Sequence, residues 1–288
     1  MIRVLGTVFA ALMGLAFGSF LNVCLSRWPE GESVVKPRSH CRNCGHTLAW
    51  WENLPLLSWL ALRGRCRGCS AWIGWRYVMV EVAVGALWAG CFIQFTQSLP
   101  ASVHPLSPPG AAIRIVGFAI FYWIVVALLV LDVEHLWLPD ALTIPGIILG
   151  IVVTLLASIY TNADLWRRLV DILIGCAMSI FVSAGLVLLI RWIYWLIRRR
   201  EGIGLGDAKL MALLAAWLGL QGALLAFGLG VVLGAVVAVM VLVLCKNQNS
   251  ESRALLKLPL GTFLCIGGII SALWGQSIIA AYLRWARF

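Results

Sequence analysis

The chain has 288 residues, of which 62% are hydrophobic and 12% charged, with a mean hydropathy of +0.96. A water-soluble domain of this length needs more polar surface, so the composition excludes a soluble globular protein and points to a polytopic membrane protein. The formal net charge of +10 would suggest nucleic acid in a soluble chain; here it belongs to loops that set orientation against membrane lipid, and no nucleic-acid partner is expected.

Residues 4–25 form the first expected span, with Gly6, Gly14, Gly18 and Ser19 suited to close helix packing. The stretch is too long and too glycine-rich for an ordinary signal peptide. It ends at Ser26-Arg27 without a small-residue cleavage site, so it is expected to remain in the protein.

Residues 27–76 are the one long polar segment. They hold Cys41-Arg-Asn-Cys44 and Cys66-Arg-Gly-Cys69, two Cys-x-x-Cys pairs separated by 21 residues. Thiolates at this local spacing supply two ligands each to a tetrahedral zinc, so Cys41, Cys44, Cys66 and Cys69 are the expected set of a structural site. The other five of the nine cysteines sit singly in apolar runs, which argues against a disulfide framework. Gly45 and Gly68 suit the tight turns of such knuckles. His40 and His46 read as loop residues. Between the pairs, Trp50, Trp51, Leu54, Leu56, Leu57, Trp59 and Leu60 are too apolar for a free loop; they either cover the metal site or lie at the membrane interface.

Further spans are expected near residues 77–97, 112–132, 138–160, 168–196, 207–220, 222–245 and 258–283, about eight in all. The division at Gly219-Leu-Gln-Gly222 is the hardest to place. The fold class is therefore an all-α polytopic membrane protein with a four-cysteine segment between its first and second helices. The expected organisation is a first helix over 1–26, the zinc-binding segment over 27–76 and the membrane-embedded remainder over 77–288. Sixteen of the 22 lysines and arginines fall in segments 27–76, 191–209 and 246–257, and six fall opposite. This places the cysteine segment in the cytoplasm and both termini outside. Trp137 and Tyr194 read as interface anchors.

With that orientation, Asp132 and Asp207 both lie at cytoplasmic ends of spans. Ionisable groups at the margin of a bilayer are costly and point to function. Two aspartates are also what an acid–base hydrolase needs, one ionised and one protonated. Asp207 sits in Gly204-Leu-Gly-Asp-Ala-Lys209, and Gly204 and Gly206 leave bare backbone where an extended substrate strand can approach. Lys209 either steadies the ionised aspartate or faces lipid headgroups. Asp140, after Pro139, reads as a helix cap. Glu134 and His135 are solvated loop residues or help to bind a basic substrate.

The chain resembles the type IV prepilin leader peptidases, membrane aspartyl proteases that carry Gly-x-Gly-Asp. The shared pattern includes Gly18-Ser-Phe-Leu-Asn-Val23, Pro37-Arg-Ser-His-Cys41-x-x-Cys44, Asn53-Leu-Pro-Leu-Leu-Ser58, Arg63-Gly-Arg-Cys66-x-x-Cys69 and Arg76-Tyr-Val-Met-Val-Glu81. It continues through Asp132, Leu138-Pro-Asp140, Gly204-Leu-Gly-Asp-Ala-Lys209 and Pro259-Leu-Gly-Thr-Phe263; the last departs from the more usual Pro-Phe-Gly-Pro-Phe. The resemblance implies Asp132 and Asp207 as the catalytic pair, with Gly204, Gly206 and Lys209 supporting. It implies prepilin or pseudopilin substrates, with short basic leaders cut after a glycine and usually before a phenylalanine. An acidic cluster of Asp132, Glu134, Asp140 and Asp207 is opposite in sign to such a leader. Members that keep the cysteine segment usually also N-methylate the new terminus with S-adenosylmethionine, so both that methyl donor and zinc are expected cofactors. The methyl-donor site is not readable from the sequence.

Two readings of another class compete. A proton-coupled transporter would use the acids as a relay, and it predicts acids near mid-bilayer and inverted repeats. A non-catalytic assembly factor would explain the cysteines but leave Asp132 and Gly-x-Gly-Asp idle. A protease of the presenilin type shares Gly-x-Gly-Asp but not the cysteine segment.

Overall fold

The computed structural model describes residues 1–97, 109–159, 165–200, 204–244 and 259–286. Lys246, Arg253, Lys257 and Arg287 of the orientation argument lie outside the described residues, as does part of the expected 138–160, 222–245 and 258–283 spans. Seven helices are long and apolar enough to cross a membrane. They are α1 (Ile2–Arg27), α3 (Trp75–Gln97), α4 (Pro109–His135), α5 (Asp140–Ile159), α6 (Leu165–Arg198), α7 (Leu205–Leu244) and α8 (Leu260–Trp285). A short helix, α2 (Leu57–Ala61), lies in the cysteine segment. Among the described residues there is no named strand, only the isolated bridges His40–Thr47 and Arg65–Trp72. The fold class read from composition is borne out. Most helices run two or three residues past the expected apolar limits, because polar ends continue a helix once the buried turns have nucleated it.

The expected division near 219–222 is present as a break inside α7. Gly219 has φ of 68° and ψ of −178°, which no helix permits. The contacts on either side run in opposite senses along α8. Before the break, Leu138 Cδ1 lies 3.1 Å from a Cβ on both Gly206 and Gly261, and a Cβ on Gly268 would meet Leu214 Cδ2 at 2.6 Å, so this limb and α8 run the same way. After it, the Ser271 hydroxyl donates to the Gly222 carbonyl at 2.8 Å, and the bare faces of Gly267 and Gly230 meet Ala226 and Leu264 in turn. The chain therefore reverses at Gly219, and α7 is two limbs, 205–218 and 220–244, which brings the spans to eight. At 1.5 Å per residue the first limb is about 20 Å long, shorter than a ~30 Å hydrocarbon core.

Two compact units divide the chain, Met1–Ala127 and Leu128–Phe288. In the first, α1 and α3 are antiparallel and nearly in backbone contact. A Cβ on Gly14 would fall 2.8 Å from Gly85 Cα, and one on Gly18 would fall 2.8 Å from Glu81 Cα. Small residues are what allow this approach where lipid supplies no hydrophobic drive between helices. In the second unit, α7 packs against α5, α6 and α8. The Trp217 indole donates to the Gly146 carbonyl at 2.9 Å and fills the space beside Gly150.

The apolar loop residues divide between the two alternatives. Trp59, Trp72 and Trp75 form one ring cluster with centroids 4.5–6.0 Å apart. Trp50, Leu57, Leu60, Trp72 and Trp75 keep more than half of their surface exposed. That exposed apolar face suits the headgroup region.

Candidate active site

Asp132 lies one turn from the end of α4. Leu136, at φ 50°, then breaks the helix, and Trp137-Leu138-Pro139 leads into α5. Asp207 lies in the first turn of α7, where Gly204 N–H donates to its Oδ2 at 3.3 Å. Both carboxylates are buried, 5% and 8% exposed. They lie within electrostatic reach of each other, and the buried Cys265 of α8 is within reach of both.

The start of α8 completes the site. Thr262 donates its N–H, at 2.6 Å, and its hydroxyl, at 3.0 Å, to Asp132 Oδ2. That N–H is one of the four that a helix start leaves without an internal partner, so the acid occupies a ready-made anion position. Leu138 fixes the geometry. Its Cδ1 lies 3.1 Å from where a Cβ would stand on Gly206 and 3.1 Å from where one would stand on Gly261. One methyl group thus wedges the starts of α7 and α8 around Asp132. Chemically, two buried carboxylates, one already holding two donors, are suited to acid–base work in which one keeps a negative charge and the other a proton.

The supporting residues depart from expectation. Lys209 is not on Asp207; its Nζ pairs with Asp140 Oδ1 at 2.6 Å, joining the starts of α7 and α5. Asp140 opens α5, as read, but its side chain accepts from this lysine. The bare face of Gly206 meets Leu138 of its own chain rather than standing open, whereas Gly204 has only ordinary contacts at 3.6 and 3.8 Å. Glu134 and His135 are 3.9 Å apart at the end of α4. Thr262, Gly261 and Leu138 were not singled out as site residues. Their signal was present in Pro259-Leu-Gly-Thr-Phe263, where Thr262 stands at the position of the second proline in Pro-Phe-Gly-Pro-Phe and supplies donors that proline lacks.

The four cysteines of the first unit converge. Their Sγ atoms all lie within 4.8 Å of one another, and the Cys41–Cys69 and Cys44–Cys66 sulfurs are 3.9 Å apart. Sulfurs at the corners of a tetrahedron around zinc, with Zn–S of about 2.3 Å, stand about 3.8 Å apart, so the residues present fit that ion. The knuckles are built alike: Cys41 N–H donates to the His46 carbonyl and Cys66 N–H to the Ala71 carbonyl, each at 2.9 Å. Gly45 takes the left-handed turn position at φ 71°, and Ser70 takes the equivalent one at φ 57°. Gly68 therefore is not the turn residue expected of it. It is small because a Cβ would stand 3.2 Å from His46 Cβ and 3.5 Å from Cys44 Sγ. The Asn43 side-chain amide and then the Ala71 N–H hold the Cys69 thiol down to about 6. His46 is outside the set and meets Glu52 at 3.3 Å.

Residues 12–95 match the Bacterial Peptidase A24 N-terminal domain and residues 119–239 match the Type IV leader peptidase family. A prepilin leader peptidase/N-methyltransferase of Stutzerimonas stutzeri is 34% identical over 96% of this chain and 94% of its own length. Proteins of the same name from Myxococcus xanthus and Pseudomonas aeruginosa are 38% and 33% identical; they cover 82% and 96% of this chain, and 63% and 93% of their own lengths. No solved structure matches the chain. The chain belongs to the type IV leader peptidase family.

Proposed function

With that membership as the premise, we propose that the protein cuts the leader from type IV prepilins or type II secretion pseudopilins and N-methylates the terminus so formed. The observation that carries the peptidase half is the meeting of two buried aspartates at the ends of α4 and α7, in a chain of this family. Asp132 and Asp207 are assigned as the catalytic pair. Asp132, with two donors on one oxygen, is fitted to hold negative charge and act as general base; Asp207, with a single donor at 3.3 Å, is left to hold the proton. Asp132 takes a proton from water, whose oxygen attacks the scissile carbonyl. Asp207 meanwhile donates to the carbonyl oxygen; as the resulting diol collapses, Asp132 passes its proton to the amide nitrogen, Asp207 recovers one from a diol hydroxyl, and the amine departs as the C–N bond breaks. Gly204 and Gly206 support this loop, and Lys209 acts through Asp140 at its edge.

Methyl transfer is assigned to the unit that carries the cysteine segment, with Cys41, Cys44, Cys66 and Cys69 holding a structural zinc. S-adenosylmethionine, when bound, would supply an electrophilic methyl group for the new amine. The lysine and arginine distribution supports a cytoplasmic cysteine segment and both termini in the periplasm, in a bacterial inner membrane. The aspartates then open on the side where a basic leader resides, and Glu134 adds like charge for its capture, whereas Asp140 is offset by Lys209. A transporter and an assembly factor are not favoured, because neither uses an aspartate pair in a leader peptidase framework.

The test is cleavage of a prepilin in detergent or lipid by wild type, Asp132→Asn and Asp207→Asn. Each variant keeps its shape and should lose on the order of 10³-fold or more in rate while remaining folded. Near wild-type cutting by either one would sink the assignment.

A further inference from the structure

The two cysteine knuckles share a spacing but differ between their ligands. Where the first reads Cys41-Arg-Asn-Cys44, the second reads Cys66-Arg-Gly-Cys69, so Asn43 and Gly68 hold equivalent positions. Their backbones act alike: the Gly68 N–H donates to Cys66 Sγ at 3.3 Å, and the Asn43 N–H bonds the Cys41 sulfur. Their side chains do not. The Asn43 amide crosses the cluster and donates to Cys69 Sγ at 3.5 Å, in the other knuckle.

Asn43 thus serves two sulfurs at once, Cys41 through its backbone and Cys69 through its side chain, and those sulfurs are 3.9 Å apart. The knuckles meet along a second edge of the same length, between Cys44 and Cys66. Gly68 has no side chain to span it, and a Cβ there would already stand 3.2 Å from His46 Cβ and 3.5 Å from Cys44 Sγ. Further backbone donors stay inside their own knuckles, the His46 N–H on Cys44 and the Ala71 N–H on Cys69. The cluster is therefore held unevenly, braced along one edge and open along the other.

Four thiolates around one divalent ion carry two negative charges in excess, and N–H donors to sulfur offset them while fixing where each sulfur points. An amide that bonds ligands of both knuckles does more, because it resists the separation that metal release requires. From this placement we infer that Asn43 is a positioning residue of the zinc site. It braces the Cys41–Cys69 edge against opening and leaves Cys44, on the unbraced edge, to part from the metal first. Cys44 is the exposed member of the four and Cys66 the buried one, which points to the same sulfur. The inference rests on the structural-zinc reading above.

The experiment uses the full-length purified protein in detergent, loaded with zinc, and follows transfer of the metal to a coloured chelator. Asn43→Leu keeps the side-chain size and removes the donor, and Asn43→Asp sets a carboxylate against the thiolate. Asn43 is exposed, so both variants should fold, which their helicity checks. Zinc should be held roughly tenfold more weakly in the Leu variant, and more weakly again in the Asp variant. With cobalt in place of zinc, the sulfur-to-metal absorption band of the Leu variant should move to longer wavelength, since a thiolate that loses a donor gives up charge more easily. Alkylation during metal transfer, mapped by mass, should mark Cys44 well before Cys69 in the wild type and the two together in the Leu variant. Wild-type zinc retention and an unmoved cobalt band in both folded variants overturn the role of Asn43 and leave the zinc reading standing, as does wild-type labelling that marks Cys69 first. A wild type that binds neither metal overturns both.

Discussion

Thr262 holds Asp132 Oδ2 with two donors at once, its backbone N–H at 2.6 Å and its hydroxyl at 3.0 Å. The residue opens α8, so the hydroxyl adds to a position the helix start already favours for negative charge. Hydrogen bonds to charged groups contribute about 1.5–3 kcal/mol. Thr262→Val removes one of the two and keeps the side-chain shape. Cleavage should slow by roughly tenfold or more through kcat, with KM little changed, and Thr262→Ser should restore most of the rate. A Val variant with wild-type kcat would mean that the hydroxyl does no more than cap α8.

Glycines in the two loops should differ sharply in their tolerance. A Cβ on Gly261 would stand 2.9 Å from Asp132 Oδ2, 3.0 Å from its Cγ and 3.1 Å from Leu138 Cδ1. Either the carboxylate or the leucine must move, so Gly261→Ala should cost at least about tenfold in cleavage, since small misplacements of a catalytic group are expensive. Gly204→Ala meets nothing nearer than 3.6 Å and keeps the N–H that Asp207 accepts. It should cut at close to the wild-type rate. Rate measurements on the pair decide the matter; equal effects would show that the motif glycine acts through something other than space.

The Lys209–Asp140 pair is exposed, with side chains 42% and 57% accessible. Exposed pairs contribute about 0–1 kcal/mol. Lys209→Met should therefore leave kcat within about threefold of wild type. If the variant instead loses cleavage as Asp207→Asn does, the lysine acts on the aspartate during turnover and not only on Asp140.

What could be read from the sequence follows from what periodicity and length encode. The spans were legible because a bilayer demands long apolar runs, and even the reversal at Gly219 left a trace in Gly219-Leu-Gln-Gly222. The convergence of the four thiols was legible because Cys-x-x-Cys is local chemistry. Contacts across the fold were not. Nothing near Asp132 in the chain announces Thr262, 130 residues away, and Lys209 stands beside Asp207 in sequence yet bonds Asp140. Glu81 looks like an ordinary polar residue of a helix end; the close approach of α3 to Gly18 of α1 is what buries it.

The cysteine cluster predicts one zinc per chain. Two sulfur pairs at 3.9 Å lie near the tetrahedral spacing and nearly twice the ~2.05 Å of a disulfide. Elemental analysis of the purified protein should find one zinc, and thiol titration should find the four cysteines unreactive until a chelator removes the metal. The ion would tie two knuckles that lack strands of their own, so its loss should loosen residues 39–73, measured as faster amide exchange there. The Cys66 knuckle carries the link onward. Gly64 accepts from Ile73 N–H at 2.7 Å, and the Trp59 indole donates to the Ile73 carbonyl at 3.0 Å. Metal removal should therefore also free Trp59, read as a change in tryptophan fluorescence. A chelated protein with unchanged amide exchange and fluorescence would show that the knuckles hold their shape without the ion.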